Sequence, residues 1–267
     1  MKTYVSLFRI RLINNIQYRA ITFGIFLSNL AWLFMELRAY AAIYESADMN
    51  LPMAFSQIVS YVWVKKIVMS LLVVVAMDFE IYSVINDGSI AYELVRPIDL
   101  YWKWFCQAAS NRVSATLVSA IPVLILVFVF PKEYRMSLPT SIGQFAMFIL
   151  SVVLALGVVV AFAMLMFISL FYTIAQRGIK IIVTALVSFL SGGVIPLVFF
   201  PAKLVSVLKF LPFSAMQSTP LLIYSGNLNG REALNSILLQ VVWLGVLIAL
   251  GKLFMSLSLK KVVVQGG

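Results

Sequence analysis

The chain is built from apolar runs long enough to cross a membrane, and no other feature limits its fold so severely. Six such runs lie at roughly 20–43, 57–80, 105–130, 142–173, 181–200 and 233–257. A helix rising 1.5 Å per residue needs about 20 apolar residues to span the roughly 30 Å hydrocarbon core. A soluble fold has no interior for this much apolar surface, since 63% of the residues are hydrophobic and 11% charged, against about 45–50% and 25% in globular domains. Stretches such as Leu71-Leu72-Val73-Val74-Val75-Ala76 lack the period-two alternation that a membrane barrel requires. The expectation is an all-α, polytopic membrane protein of six transmembrane helices, forming one membrane domain over 1–267.

Orientation follows from the basic residues, which resist translocation and stay on the cytoplasmic side. With both ends inside, twelve of the twenty Lys and Arg fall in cytoplasmic segments and five in outer ones. The bias predicts N-in, C-in. The formal charge of +10 therefore belongs to membrane topology, and no nucleic-acid partner is expected. The first run reads as a retained span rather than a secretory leader, because no small-x-small cleavage site follows a short apolar core.

Residues 1–19 carry Val5, Phe8, Leu12 and Ile16 at spacings of three and four, with Lys2, Ser6, Arg9 and Gln17 on other faces. This reads as an interfacial amphipathic helix; the competing reading extends the first span into water. Two connections stand out further on. The inner one, 84–100, holds Asn86-Asp87-Gly88, a sharp turn, with Asp87 or Ser89 able to cap the helix that follows. Ile90 and Leu94 then share a face, and Pro97 stops the helix at Arg96. Such a short helix with charged ends, Glu93 among them, is either a docking surface for a soluble partner or an ordinary loop helix. The outer connection begins at Ser191-Gly192-Gly193 and Pro196, and runs through 201–228 with further breaks at Pro212, Pro220 and Gly226. Broken backbone at membrane depth needs protein or a wet cavity to receive it, so the fifth span is expected to bend near Pro196 and half-inserted helices to follow.

Charges within spans are costly and usually face the bundle interior or water. Glu36 and Arg38 fall in the first span, Lys65 and Lys66 in the second. One reading has these four line an outward vestibule, with Glu36 able to pair with Lys65, and takes Glu36, Lys65, Gly193 and Pro196 as translocation-pathway candidates; snorkelling of the lysines is the other. Asp78 and Glu80 are expected at the cytoplasmic surface beside Arg96 or Arg112. Catalytic signatures are missing. The chain has no histidine, which removes His-based metal sites and Ser-His pairs, and no G-x-x-x-x-G-K-[ST] loop to hold ATP. Its single cysteine, Cys106, cannot pair within the chain.

The run Asp87-Gly88-Ser89-Ile90-Ala91-Tyr92-Glu93-Leu94-Val95-Arg96-Pro97-Ile98 resembles the signature of a branch of the type 2 ABC-exporter permeases that ends in a Leu-x-Arg-Pro step. A second signature matches at Gly193-x-x-Pro196-Leu197-x-x-Phe200-Pro201, then Leu211-Pro212-Phe213, Pro220 and Gly226. The resemblance implies an export permease working as a dimer, with a copy of itself or a paralogue, in the cytoplasmic membrane of a bacterial cell. It implies two separate ABC ATP-binding subunits, which hold the ATP and Mg; this chain would need no cofactor. By the same resemblance 84–100 is the coupling helix, with Asp87, Gly88, Ile90, Glu93, Leu94, Arg96 and Pro97 facing the ATPase, and 201–228 the outer re-entrant segment. The runner-up is a six-helix secondary carrier or channel; an intramembrane enzyme with a Ser-Lys pair is the third reading.

Overall fold

The computed structural model describes residues 2–16, 20–46, 51–74, 78–87, 89–172 and 176–260. The helices are α1 (Lys2–Ile16), α2 (Ala20–Ser46), α3 (Phe55–Leu72), α4 (Phe79–Asn86), α5 (Ile90–Leu94), α6 (Leu100–Val129), α7 (Ile142–Ser169), α8 (Gln176–Leu190), α9 (Ala202–Leu208), α10 (Thr219–Tyr224) and α11 (Gly230–Leu259). Short 3-10 turns occupy Lys132–Tyr134 and Leu197–Phe199, and a π turn occupies Ser214–Ser218. No strand occurs among the described residues.

Four helices among the described residues, α3, α6, α7 and α11, are long and apolar enough to cross a membrane. Helix α2 covers the first predicted run and, at 27 residues, is about 40 Å long. Two of the six runs are not continuous helices. Helix α8 stops after 15 residues, about 22 Å, short of the hydrocarbon thickness. The run at 57–80 is helical only to Leu72, and α4 starts again at Phe79.

The end of α8 has a local cause. Gly192 adopts a left-handed φ of 81°, its N–H donates to the Phe189 carbonyl at 3.3 Å, and the Gly193 N–H donates to the Ser188 carbonyl at 2.9 Å. That pair of bonds is a Schellman stop. It breaks the fifth run at 191–193, ahead of Pro196, where the bend was expected. The same device ends α10, with Gly226 at φ 76° and the Asn227 N–H on the Leu222 carbonyl.

Helix α7 runs through the middle of the bundle, where Val158, Val159, Val160 and Ala161 are fully buried. It packs chiefly on α11, and Gly157 brings the helices close: a Cβ there would sit 3.0 Å from Leu244. Without a hydrophobic driving force in lipid, such close approach and interhelical hydrogen bonds hold the helices together. Leu33 and Leu37 of α2 meet Val59, Val62 and Trp63 of α3 and Val123 and Val127 of α6 in a separate cluster. Helix α1 lies along α6, with the Ser110 hydroxyl donating to the Phe8 carbonyl at 3.0 Å. Its predicted stripe is divided: Phe8 and Leu12 are half-buried while Val5 is exposed.

The break between α3 and α4 leaves carbonyls without helical partners, and Arg112 of α6 takes them up. Its guanidinium donates to the carbonyls of Val73 at 3.1 Å and Val74 at 2.8 Å, and to Asp78 at 3.2 Å. Both charged side chains are wholly buried, and Asn111 also donates to Asp78 at 2.9 Å. Asp78 is thus an interior residue, not the surface acid expected from sequence; Glu80 is the exposed one, paired with Arg11 of α1 and bonded to Gln107. Removing one partner of a buried pair costs about 3–5 kcal/mol. Arg112→Met should therefore lower the heat resistance of the detergent-solubilised protein sharply, followed by size-exclusion recovery after a temperature series. Asp78→Leu combined with Arg112→Met should recover only part of the loss, because Val73 and Val74 keep their orphaned carbonyls.

Candidate functional site

Two places gather the residues singled out from sequence. The first is the α4–α6 connection. Helix α4 ends at Asp87, whose N–H donates to the Ser83 carbonyl at 2.8 Å; Gly88 lies outside the described residues. Ser89 stands at the N-cap of α5 without a side-chain capping bond, and the Asp87 side chain is exposed. Helix α5 has five residues. Ile90 is buried against Ile81, Leu100 and Trp104, while Leu94 is 42% exposed. The expected Ile90–Leu94 stripe is therefore not one face, because a helix this short anchors only its first turn on the bundle.

Glu93 is turned inward as well. It pairs with Lys103 of α6, and both side chains are largely buried. The outward surface is made instead by Tyr92, 78% exposed, Val95, 85% exposed, and Leu94, followed by exposed Arg96 and Pro97. The Ile98 N–H closes a tight turn on the Arg96 carbonyl at 2.7 Å. Asp99 then caps α6 by accepting from the Trp102 N–H at 3.1 Å, and it lies 3.5 Å from Lys252 of α11. An apolar, aromatic tip thus stands on a base fixed to α6 and α11 by two ion pairs.

The second place lies between α2, α3 and α8. Glu36 of α2 and Lys65 of α3 form an ion pair with both side chains buried, and the Lys65 ammonium also donates to the Gly193 carbonyl at 3.3 Å. The Tyr61 hydroxyl donates to the neighbouring Gly192 carbonyl at 3.0 Å. These three side chains meet at the α8 break, and Glu36 and Lys65 border a cavity of about 470 Å³. Three of the four candidate pathway residues, Glu36, Lys65 and Gly193, line it. Pro196 does not; it is buried and starts the 3-10 turn at Leu197. Arg38 leaves the group by donating to the Tyr134 hydroxyl at 3.1 Å, and Lys66 has only 7% of its surface exposed.

Sequence reading missed the cavity's polar wall, Ser188, Ser191 and Gln217, where the Ser191 hydroxyl donates to Gln217 at 3.1 Å. It also missed Lys103 as the partner of Glu93. The available signal was polarity within apolar runs: Gln107, Gln144, Ser151 and Gln240 are buried too. Gly193 is constrained by this packing, since a Cβ would come within 2.7 Å of Gln217 Oε1 and 3.0 Å of the Ser188 carbonyl. Gly193→Ala should therefore destabilise by about 1–3 kcal/mol. Gly245→Ala, where a Cβ meets nothing within 4 Å, should be neutral or gain up to about 1 kcal/mol from helix propensity. Paired melting curves in detergent check both.

Comparison with known families matches residues 30–266 to the family described as ABC-2 family transporter protein. The matched stretch begins inside α2 and covers both places described above. A comparison with curated proteins returns no match. Permeases of this family are generally non-catalytic and work with ATP-binding partner subunits. The chain belongs to the ABC-2 family of transporter proteins, as a multi-pass membrane permease subunit of an ABC transporter.

Proposed function

We propose that this permease is the membrane half of an ATP-driven exporter and that the α4–α6 connection is where ATP-binding subunits act on it. The observation that carries this reading is the exposed Tyr92-Leu94-Val95 tip on an anchored base. Apolar side chains exposed this far on a polar connection suit burial in a partner's cleft. The Glu93–Lys103 and Asp99–Lys252 pairs tie that tip to α6 and α11, so a push on it moves whole spans rather than a loose loop.

In this reading two ATP-binding subunits sit on the cytoplasmic side, holding ATP and Mg, and a second permease, a copy or a paralogue, completes the pathway. ATP binding draws the subunits together and displaces the connection; hydrolysis resets it. The remaining parts follow the same frame: six crossings with both ends inside, 1–19 as an interfacial helix and 201–228 as an outer re-entrant segment. Buried Gln144 supports the last, since its amide donates to the Ile223 and Tyr224 carbonyls at 2.8 and 3.0 Å, as a half-inserted helix end requires.

The ATPase contact is tested by affinity purification of Tyr92→Asp with Val95→Asp beside the native chain, with bound proteins identified by mass spectrometry. The native chain should retain a P-loop ATPase and the double variant should lose at least nine-tenths of it, at unchanged membrane insertion and melting temperature. Equal retention by both would sink the assignment of the connection. Topology is checked with a membrane-impermeant maleimide in a Cys106→Ser background: Tyr92→Cys should label only after the membrane is opened, and Val207→Cys in intact cells.

A further inference from the structure

A second cavity lies away from both places, between α9, the π turn with α10, and α11. It holds about 460 Å³, within the roughly 300–1,000 Å³ of small-molecule sites. Its α11 wall is a single stripe, Glu232, Asn235, Ser236 and Leu239, residues at the spacing that shares a helix face. From Glu232 to Leu239 this wall runs about 10 Å at 1.5 Å per residue, and it passes from charged through polar to apolar. Leu197, Val198, Val205 and Leu222 supply apolar surface opposite. Lys209 lines the cavity toward its Leu239 end: the indole of Trp243, one turn beyond Leu239, donates to the carbonyl of the neighbouring Phe210 at 2.8 Å. The Ser214 hydroxyl fixes the same bend by donating to the Lys209 carbonyl at 3.0 Å.

The two charges are opposite, reachable and uncommitted. Lys209 and Glu232 are exposed, and neither side chain forms an ion pair or hydrogen bond among the described residues. The Lys209 ammonium rests 5.2 Å from the Phe210 ring centre. Asn235 is exposed and Ser236 half-buried, and their side chains too make no hydrogen bond among the described residues. Glu232 in the first turn of α11 and Lys209 at the end of α9 suit their helix dipoles, which accounts for each sign but not for their standing at opposite ends of one cavity.

We infer that this cavity binds a short apolar peptide with free termini, about three residues long, its ammonium on Glu232 and its carboxylate on Lys209. Three residues reach about 10–11 Å when extended, the length of the α11 wall. Asn235 and Ser236 stand where the peptide's own N–H and C=O groups pass, and peptide groups taken out of water need such partners. An aliphatic chain charged at both ends would leave them idle. A phospholipid headgroup carries its two charges side by side and cannot meet both ends at once. That a bound peptide is cargo rests on the permease reading; binding itself requires no ATPase.

The test is calorimetric titration of the purified full-length permease in dodecyl maltoside, an uncharged detergent. Trileucine is the probe, beside its N-acetylated, C-amidated and doubly blocked forms. The native chain should bind free trileucine at least tenfold more tightly than the doubly blocked peptide, and each single block should forfeit part of that preference. Glu232→Gln should abolish the response to N-acetylation alone, and Lys209→Met the response to C-amidation alone, both at unchanged membrane insertion. Absence of binding, equal affinity for free and doubly blocked trileucine, or a terminal preference that survives its variant would overturn the inference; the last outcome would leave the two charges to their helix dipoles. Displacement of trileucine by dihexanoyl phosphatidylethanolamine, lost in both variants, would give the cavity to a lipid headgroup and overturn it as well. A negative titration leaves the ATPase co-purification result standing, and the reverse also holds, so the two readings fail separately.

Discussion

Backbone polar groups have no water to turn to inside a bilayer, and this chain breaks its helices at several places where water is scarce. Several of these breaks are met by a polar side chain from a neighbouring helix. Arg112 takes the carbonyls of Val73 and Val74, Tyr61 and Lys65 those of Gly192 and Gly193. Gln240 donates to Ala215 at the π turn while exchanging bonds with Ser151 of α7, and Gln144 holds the end of α10. An interhelical hydrogen bond in a membrane is worth only about 0.6–2 kcal/mol, but the alternative is an orphaned carbonyl in hydrocarbon, which costs several. The broken helices and the buried polar residues are therefore one design: neither is tolerable without the other.

That pairing explains how far the sequence could be read. Apolar runs are governed by composition, so the helical class and the long α3, α6, α7 and α11 were legible, as was α2. Gly192-Gly193 announced a break, since glycine there permits the left-handed stop. The pairing of Glu36 with Lys65 was legible too, because two opposite charges within spans have few other partners. The position of the other break was hidden. Leu71 to Ala76 reads in sequence as uninterrupted helix, whereas α3 ends at Leu72 and Arg112, some forty residues later, receives the carbonyls of Val73 and Val74. Asp78 was expected beside Arg96 or Arg112, and Arg112 is its partner, but the pair is wholly buried rather than at the surface. Ile90 and Leu94 failed as a stripe because helical spacing predicts a common face only where the helix is long enough to lie on a neighbour.

The same contacts relate the two places physically. Leu72, Val73 and Val74 line the cavity that Glu36 and Lys65 close, and the carbonyls of the last two are held by Arg112. Arg112 also grips Asp78, the residue from which α4 starts, and α4 leads within eight residues to the α5 connection. Ile81 of α4 and Ile90 of α5 share one cluster with Trp104 of α6 and Phe167 of α7. A displacement of the connection thus acts on a short, packed and ion-paired lever rather than on a hinge.

The lever ends on backbone that is already non-helical. Regular helix resists bending because each turn is hydrogen-bonded to the next, but residues 73 and 74 have exchanged those bonds for bonds to a side chain. A guanidinium offers five donors in a fixed planar fork, and Arg112 uses them to hold Val73, Val74, Asp78 and Ala108 in one arrangement. Under the permease reading, cytoplasmic work would therefore change the cavity where Val73 and Val74 line it, while the Glu36–Lys65–Gly193 corner ties α2, the helical part of α3 and the α8 break together.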